Sequence, residues 1–111
     1  MAASLSHVLA QIQRWASPRL QEHSDAVLLE RFVQHRDEPA FAVLVARHGA
    51  MVLHSCRRVL NDEHEAEDAF QATFLILARK AQTLRQAEAL PGFLHRVARR
   101  VALKARAKAN A

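Results

Sequence analysis

The last third of the chain concentrates positive charge in a pattern that suits phosphate binding. Residues 79–111 contain nine Lys or Arg and one acid, Glu88. Arg96, Arg99, Arg100 and Lys104 recur at the spacing of one helix face and would form a ridge. Each contact between such a ridge and a nucleic-acid phosphate releases counterions, which favours binding. The alternative interpretation is an ordinary solvated helix face.

A second cluster carries the opposite charge. Five of the seven residues at 62–68 are acidic. Asp68 and Gln71 are three residues apart and fall on one helix face, where Glu65 extends the acidic edge. Acid and amide groups placed this way can bond Arg and backbone groups of a protein partner, although an acid-rich first turn can also serve only the helix dipole. The two clusters indicate two surfaces with two different partners.

No metal site, cofactor site or catalytic site is predicted. The chain has seven His and one Cys, without a Cys-x-x-Cys or Glu-x-x-His pattern. His54 and Cys56 are two apart, so they point away from each other on a helix, and His64 with Asp68 offers only a weak surface pair. His48 lies on an apolar stripe, which is typical of a hydrogen-bonded core histidine. A glycine-rich phosphate loop and a nucleophile motif are both missing, so the protein is not expected to be an enzyme.

The composition predicts one soluble, cytoplasmic, all-α domain. Half of the 111 residues are hydrophobic, with two Gly, three Pro and no Tyr. No run approaches the roughly 20 apolar residues of a membrane span, and the start lacks the order of a signal peptide. A single Cys excludes an intrachain disulfide and fits a reducing interior. Because the sequence has neither a membrane span nor the order of a signal peptide, we expect no membrane contact.

Apolar spacing predicts five helical segments that pack as an antiparallel bundle. Pro18 is expected to end the first segment, and Ser24 to cap the second. The segments cover about residues 4–16, 24–33, 37–60, 63–81 and 91–108. In the third segment the expected apolar stripe is Phe41, Leu44, Val45, His48, Val52, Cys56, Val59 and Leu60. In the fourth it is Ala66, Ala69, Phe70, Thr73, Phe74 and Leu77. In the fifth it is Leu94, Val97, Ala98 and Val101.

Three stretches carry a more specific pattern. They read SDAVLLERF at 24–32, DEHEAEDAFQATFLILARKA at 62–81 and GFLHRVARRV at 92–101. In order and spacing, residues 24–108 resemble region 2 of extracytoplasmic-function (ECF) sigma factors, and the QATFL run at 71–75 is similar to planctomycete-type members. The resemblance implies a compact helical bundle of four to five helices that binds the β′ clamp helices of core RNA polymerase. It also implies recognition and melting of the promoter −10 element in transcription initiation.

The resemblance assigns the polymerase contact to the helix that starts in the acidic cluster. The implied residues are Glu65, Asp68, Gln71, Ala72 and Leu75. Ala72 stands where relatives often carry a second acid, so the contact would be weaker or rely more on packing.

The resemblance assigns DNA contacts to the ridge helix and to the connection before it. A flipped-out base would be received at residues 83–90, where a pocket must repay an extrusion cost of a few kcal/mol. Phe93, where relatives commonly have Trp, either stacks on DNA or belongs to the core. Arg100, where some relatives have Asn, favours phosphate clamping. The implied residues are Thr83, Arg85, Gln86, Glu88, Phe93, Arg96, Arg99, Arg100 and Lys104.

Three parts of the chain are expected: an amphipathic N-terminal helical extension at 1–23, the region 2 domain at 24–108 and a frayed tail at 109–111. The apolar stripe of the extension would pack on the bundle, either as more core or as an autoinhibitory cover. Nothing matches the helix-turn-helix domain with which the family reads the −35 element, so a fragment of a longer protein is expected. The resemblance also implies an anti-sigma factor as a partner.

Two other functions remain open from the sequence. One is a helical protein-interaction adaptor, or a docking module regulated by an anti-sigma factor, without DNA binding. It differs from a sigma domain because an adaptor has no reason to bind single-stranded −10 DNA. The other is a helix-turn-helix repressor, which the connection of about ten residues at 82–91 disfavours because that motif needs a short turn.

Overall fold

The computed structural model describes residues 8, 18–84 and 89–110. In this part of the chain the fold is all-α and has no strand, which confirms the predicted helical bundle. The helices are α1 (Pro18–Gln21), α2 (Asp25–His35), α3 (Glu38–Val59), α4 (Glu63–Lys80) and α5 (Leu90–Ala109), with a 3-10 turn at Ala81–Thr83. None of these helices has the length and apolar character needed to cross a membrane.

Side-chain caps explain where the three central helices begin. Ser24 Oγ accepts the N–H of Val27 at 3.2 Å at the start of α2, and Asp37 Oδ1 accepts that of Ala40 at 3.2 Å at the start of α3. At the start of α4, Asp62 Oδ1 accepts the backbone N–H of Glu65 at 3.1 Å. Each cap satisfies an amide that has no partner inside its helix.

The turn between α2 and α3 places a non-glycine residue in the left-handed region. Arg36 has a φ of 50°, which residues with a β-carbon adopt only at a cost. Its N–H donates to the carbonyl of Phe32 at 2.9 Å, and its guanidinium carbon lies 5.2 Å from the centre of the Phe32 ring. The hydrogen bond and the cation–π contact offset that cost and let α3 fold back on α2.

The core forms where α3, α4 and α5 each pack against the other two, while α2 packs on α3. All six core positions predicted for α4 are buried. The hydroxyl of Thr73, one of them, donates to the carbonyl of Ala69 at 2.7 Å and is therefore satisfied inside the core. The largest side chains with almost no exposure are leucines: Leu28, Leu44, Leu53, Leu77, Leu90 and Leu94.

The buried surface of α3 is wider than the single predicted stripe. Phe41, Val45, His48 and Val59 are only partly buried, whereas Ala40, Val43, Ala46, Gly49 and Leu53 are fully buried. The physical reason is that α3 contacts α1, α2, α4 and α5, so several of its faces are covered. On α5, similarly, Val101 is partly buried and Ala102 is the buried residue.

Two short elements were not predicted. One is α1, where Pro18 occupies the first position, which suits a residue without an N–H. The other is the 3-10 turn at Ala81–Thr83. The segment expected at 4–16 lies outside the described residues, apart from Val8.

One carboxylate ties the start of α2 to the middle of α3. Asp25 Oδ1 lies 2.8 Å from Arg47 Nη1, and Asp25 Oδ2 lies 2.8 Å from His48 Nε2. The second terminal nitrogen of Arg47 donates to the carbonyls of Gln21 and His23, each at 3.0 Å. The His48 side chain is 11% exposed, so the prediction of a hydrogen-bonded core histidine is confirmed.

Candidate binding surfaces

The Lys and Arg side chains of α5 make its outer side positive. The helix contains six Lys or Arg and no acid. Its inner side is fixed by buried residues, among them Leu94, Val97, Ala98 and Ala102. Four cations predicted to share a face are all exposed, and we call them the cationic ridge: Arg96, Arg99, Arg100 and Lys104.

The first turn of α5 places an arginine and an aromatic ring beside this ridge. A β-carbon on Gly92 would lie 3.4 Å from Arg96 Nη1, so the guanidinium of Arg96 folds back over the glycine. Phe93 is partly buried and packs against the core. The residue therefore contributes to the core, as one of the two sequence interpretations has it.

The connection before α5 is anchored at both ends. Leu84 is partly buried against the core, and Leu90 is 1% exposed. Thr83 is exposed, and its hydroxyl donates to the carbonyl of Lys80 at 2.8 Å. The other residues predicted to receive a flipped base lie outside the described residues: Arg85, Gln86 and Glu88.

The side of α4 opposite its core positions carries the residues predicted to bind a protein. Asp68, Gln71 and Leu75 are exposed, while Glu65 and Ala72 are partly buried. We call these five residues the α4 outer face. Leu75 is 60% exposed, more than the other exposed large apolar residues of the described part of the chain. The face thus combines carboxylate and amide groups with an apolar side chain.

A groove of about 400 Å³ joins the α4 outer face to α5. Its lining includes the carboxylates of Glu65 and Asp68 from α4 and the amine of Lys108 from α5. The lining is completed by Ala69, Ala72, Val101, Ala105 and Ala109. The structure therefore brings three predicted polymerase-binding residues together with α5, a pairing that spacing along α4 alone does not reveal.

A second pocket, of about 320 Å³, lies between α3 and α5 on another side of the bundle. We call it the His–Arg pocket after its polar residues. Its lining is Met51, His54, Ser55, Arg58, Val59, His95 and Arg99. Of these, only Arg99 was predicted from the sequence to contact DNA. A signal was present, because a His is followed four residues later by an Arg at 54–58 and again at 95–99, which puts each pair on one helix face.

Among the described residues, three titratable groups have shifted pKa values, those of Cys56, Arg57 and Glu63, and all three lie outside these surfaces. Burial in the core raises the pKa of the Cys56 thiol to about 11, which leaves it protonated and unreactive at neutral pH. At the turn between α3 and α4, Arg57 Nε donates to Glu63 Oε1 at 3.0 Å, and this hydrogen bond lowers the pKa of Glu63. Within 18–84 and 89–110, no three His, Cys, Asp or Glu side chains gather as metal ligands would.

Comparison with known proteins gives one family. The family described as Sigma-70 region 2 matches residues 44–111. This range includes most of α3 and all of α4 and α5, so both pockets, the α4 outer face and the cationic ridge lie within it. No curated protein and no solved structure matches the chain.

Proposed function

Because the chain belongs to the sigma-70 region 2 family, we propose that it binds core RNA polymerase through α4 and melts the promoter −10 element with α5. Region 2 domains of this family act in transcription initiation, bind core RNA polymerase and promoter DNA, and are not enzymes. The assignment of each partner to a particular helix follows from the chemistry of the two surfaces.

The α4 outer face suits the β′ clamp helices of the polymerase. Asp68 and Gln71 offer acceptors and donors for arginine and backbone groups of a partner helix. Leu75 supplies an apolar side chain, 60% exposed, of the kind that becomes an anchor when a partner covers it. The exposure of Leu75 between polar neighbours is the observation that carries this part of the proposal.

The groove beside this face offers packing contacts in place of an ion pair. Ala72 stands where relatives often have a second carboxylate, and its short side chain opens the groove towards α5. A partner side chain can enter there and gain packing contacts in place of an ion pair. The polymerase contact is therefore proposed to rest on packing at Ala72 and Leu75 and on hydrogen bonds at Asp68.

The cationic ridge suits the DNA backbone. Arg96, Arg99, Arg100 and Lys104 are exposed on a helix without acids, so no carboxylate of α5 competes with a phosphate. We propose that the connection at 83–90 receives an extruded base, with Thr83 at its described edge. Arg85, Gln86 and Glu88 would supply further donors and acceptors.

We also propose a finer classification and a domain boundary. The motifs at 24–32, 62–81 and 92–101 favour an ECF-type, planctomycete-like sigma factor, for which an anti-sigma factor is the expected regulator. The domain is proposed to begin near residue 24, ahead of the matched range, since Leu28, Leu29 and Phe32 of α2 are buried in the common core. Residues 1–23 are then an extension of this domain.

Co-elution with bacterial core RNA polymerase tests the proposal. The wild-type chain is expected to co-elute, and an Asp68→Ala/Gln71→Ala double variant to lose binding. A matched control is Glu30→Ala/Gln34→Ala, which likewise removes one carboxylate and one amide from exposed positions, here on α2, and should bind like the wild type.

Three results would count against it. If Asp68→Ala/Gln71→Ala binds as well as the control variant, the polymerase contact does not depend on these residues of α4. Failure of the wild type even at low salt calls for deletion of residues 1–22, because an autoinhibitory extension predicts that the shortened chain binds. Failure of the shortened chain as well would reject the sigma function, and polymerase binding without binding of single-stranded −10 DNA would favour the adaptor.

A further inference from the structure

The His–Arg pocket has the composition of an anion site. Each of its two helices contributes a histidine and, one turn later, an arginine: His54 and Arg58 from α3, His95 and Arg99 from α5. Imidazole and guanidinium groups are hydrogen-bond donors, and guanidinium in particular matches the oxygens of a phosphate in a bidentate fashion. Each helix therefore contributes one imidazole and one guanidinium group to the same pocket.

Within the described part of the chain, no ion pair neutralises the two arginines of this pocket. No acid lines it, and among the described residues neither Arg58 nor Arg99 is within ion-pair distance of a carboxylate. Two other arginines of α3 behave differently, since Arg47 pairs with Asp25 and Arg57 with Glu63. The two arginines at the pocket thus keep their donors for a partner from outside.

The remaining lining residues strengthen such a contact. Ser55 is partly buried, and its hydroxyl makes a long contact of 4.0 Å with the sulfur of Met51. It can rotate to donate to an anion. Met51 and Val59 form apolar walls, and electrostatic attraction is stronger beside apolar groups than in open water.

We propose that the His–Arg pocket binds a phosphate group. Arg99 belongs both to the pocket and to the cationic ridge, so a nucleic-acid strand on the ridge would bring a backbone phosphate to the pocket mouth. The nucleic-acid source rests on the proposed DNA-binding function. Free phosphate offers the same chemistry, and the two sources are separated by experiment.

The first experiment measures the affinity of the 111-residue chain for a fluorescent single-stranded oligonucleotide over a range of salt concentrations. Arg58→Gln is expected to weaken binding about tenfold, because it removes one charged hydrogen-bonding contact. It should also flatten the slope of log K against log salt by about 0.7, the value for one phosphate of a single strand.

The matched control is Arg57→Gln, which removes the same charge one residue away. Its side chain points to Glu63 and does not line the pocket, so the salt slope should stay as in the wild type. Equal changes in the two variants would show that only the loss of one positive charge matters. They would reject the proposal that a backbone phosphate binds in this pocket.

The second experiment titrates inorganic phosphate while the imidazole resonances of the chain are followed by NMR. Saturable shifts at His54 and His95 are expected, with weaker binding in Arg58→Gln and no saturable shift at the exposed His64, which lies outside the pocket. If phosphate binds but Arg58→Gln leaves oligonucleotide affinity unchanged, the source is free phosphate. If phosphate shifts neither histidine and Arg58→Gln binds the oligonucleotide normally, the proposal is wrong.

An Arg96→Gln/Arg100→Gln variant separates this proposal from the proposed function. Both residues belong to the cationic ridge and neither lines the pocket. The variant should lose oligonucleotide affinity and keep the phosphate-dependent shifts. A wild-type chain that binds phosphate but no oligonucleotide would reject DNA binding and leave the pocket as a phosphate site.

Discussion

Asp25 holds Arg47 and His48 with the two oxygens of a single carboxylate, each at 2.8 Å. Arg47 and His48 are adjacent on α3, whereas Asp25 is the first residue of α2. Since Arg47 also binds the carbonyls of Gln21 and His23, this group fixes the turn between α1 and α2 against α3.

We expect Asp25→Ala to lower the free energy of unfolding by about 2 kcal/mol, because hydrogen bonds to charged groups are lost and a mostly buried His48 keeps no partner there. Urea unfolding of wild type and variant measures the difference. Glu30→Ala, at an exposed position of the same helix, is the control and should leave the midpoint unchanged. The same midpoint in Asp25→Ala would show that the carboxylate adds no stability.

Two leucines of α4 should have separable effects. Leu77 is 0% exposed, so Leu77→Ala is expected to cost about 3 kcal/mol of stability through lost burial and a cavity. Leu75 is 60% exposed, so Leu75→Ala should change stability by less than about 0.5 kcal/mol yet weaken binding to core RNA polymerase. Urea unfolding and co-elution test both variants. Normal polymerase binding by Leu75→Ala would remove this leucine from the interface.

The cationic ridge should determine how DNA binding depends on salt. In Arg99→Ala/Arg100→Ala we expect weaker binding of promoter DNA and a flatter salt dependence, by about 1.4 in the slope of log K if each arginine contacts one phosphate of a single strand. Fluorescence anisotropy over a range of salt concentrations measures it. Arg57→Ala/Arg79→Ala removes the same charge from α3 and α4 and should keep the wild-type slope. Unchanged affinity and slope in the first variant would exclude this part of α5 from the DNA interface.

Cys56 should make stability fall at alkaline pH. Burial raises its pKa from 9.0 to about 11. The stability that the protonated Cys56 thiol contributes is therefore complete below the pKa of this thiol in the unfolded chain. It is lost as the pH rises through the pKa of the thiol in the folded chain. Urea unfolding below pH 9 and near pH 11 tests this, with Cys56→Ala as the comparison. The wild type should lose more stability over that range than the variant, and the absence of tyrosine simplifies the measurement. Parallel curves would contradict the prediction.

The accuracy of the sequence predictions depends on how many neighbours each helix has. The six core positions of α4 were predicted correctly, because an amphipathic helix with one buried side has one clear periodicity. On α3 the single-stripe prediction was incomplete. Phe41 and Val45 pack against the core but are only partly buried, and small residues such as Ala46 are buried as well, because four other helices contact α3.

The same limit applies to the binding surfaces. The cationic ridge could be predicted as one surface because its four members share one helix, and spacing along a helix determines which side chains are neighbours. The His–Arg pocket could not, since nothing in the order of residues states that the end of α3 faces the first half of α5. His54 and Arg58 line a pocket only because two helices that are distant in the sequence pack together.

The position of α5 has a mechanical consequence. It packs on α3 and α4 at the same time, with Leu94, Ala98 and Ala102 buried between them. Close-packed interiors transmit displacement instead of absorbing it. In the proposed function, the polymerase binds α4 and the DNA strand lies on α5. The rigid packing of α4 against α5 would then fix the distance between the open strand and the polymerase.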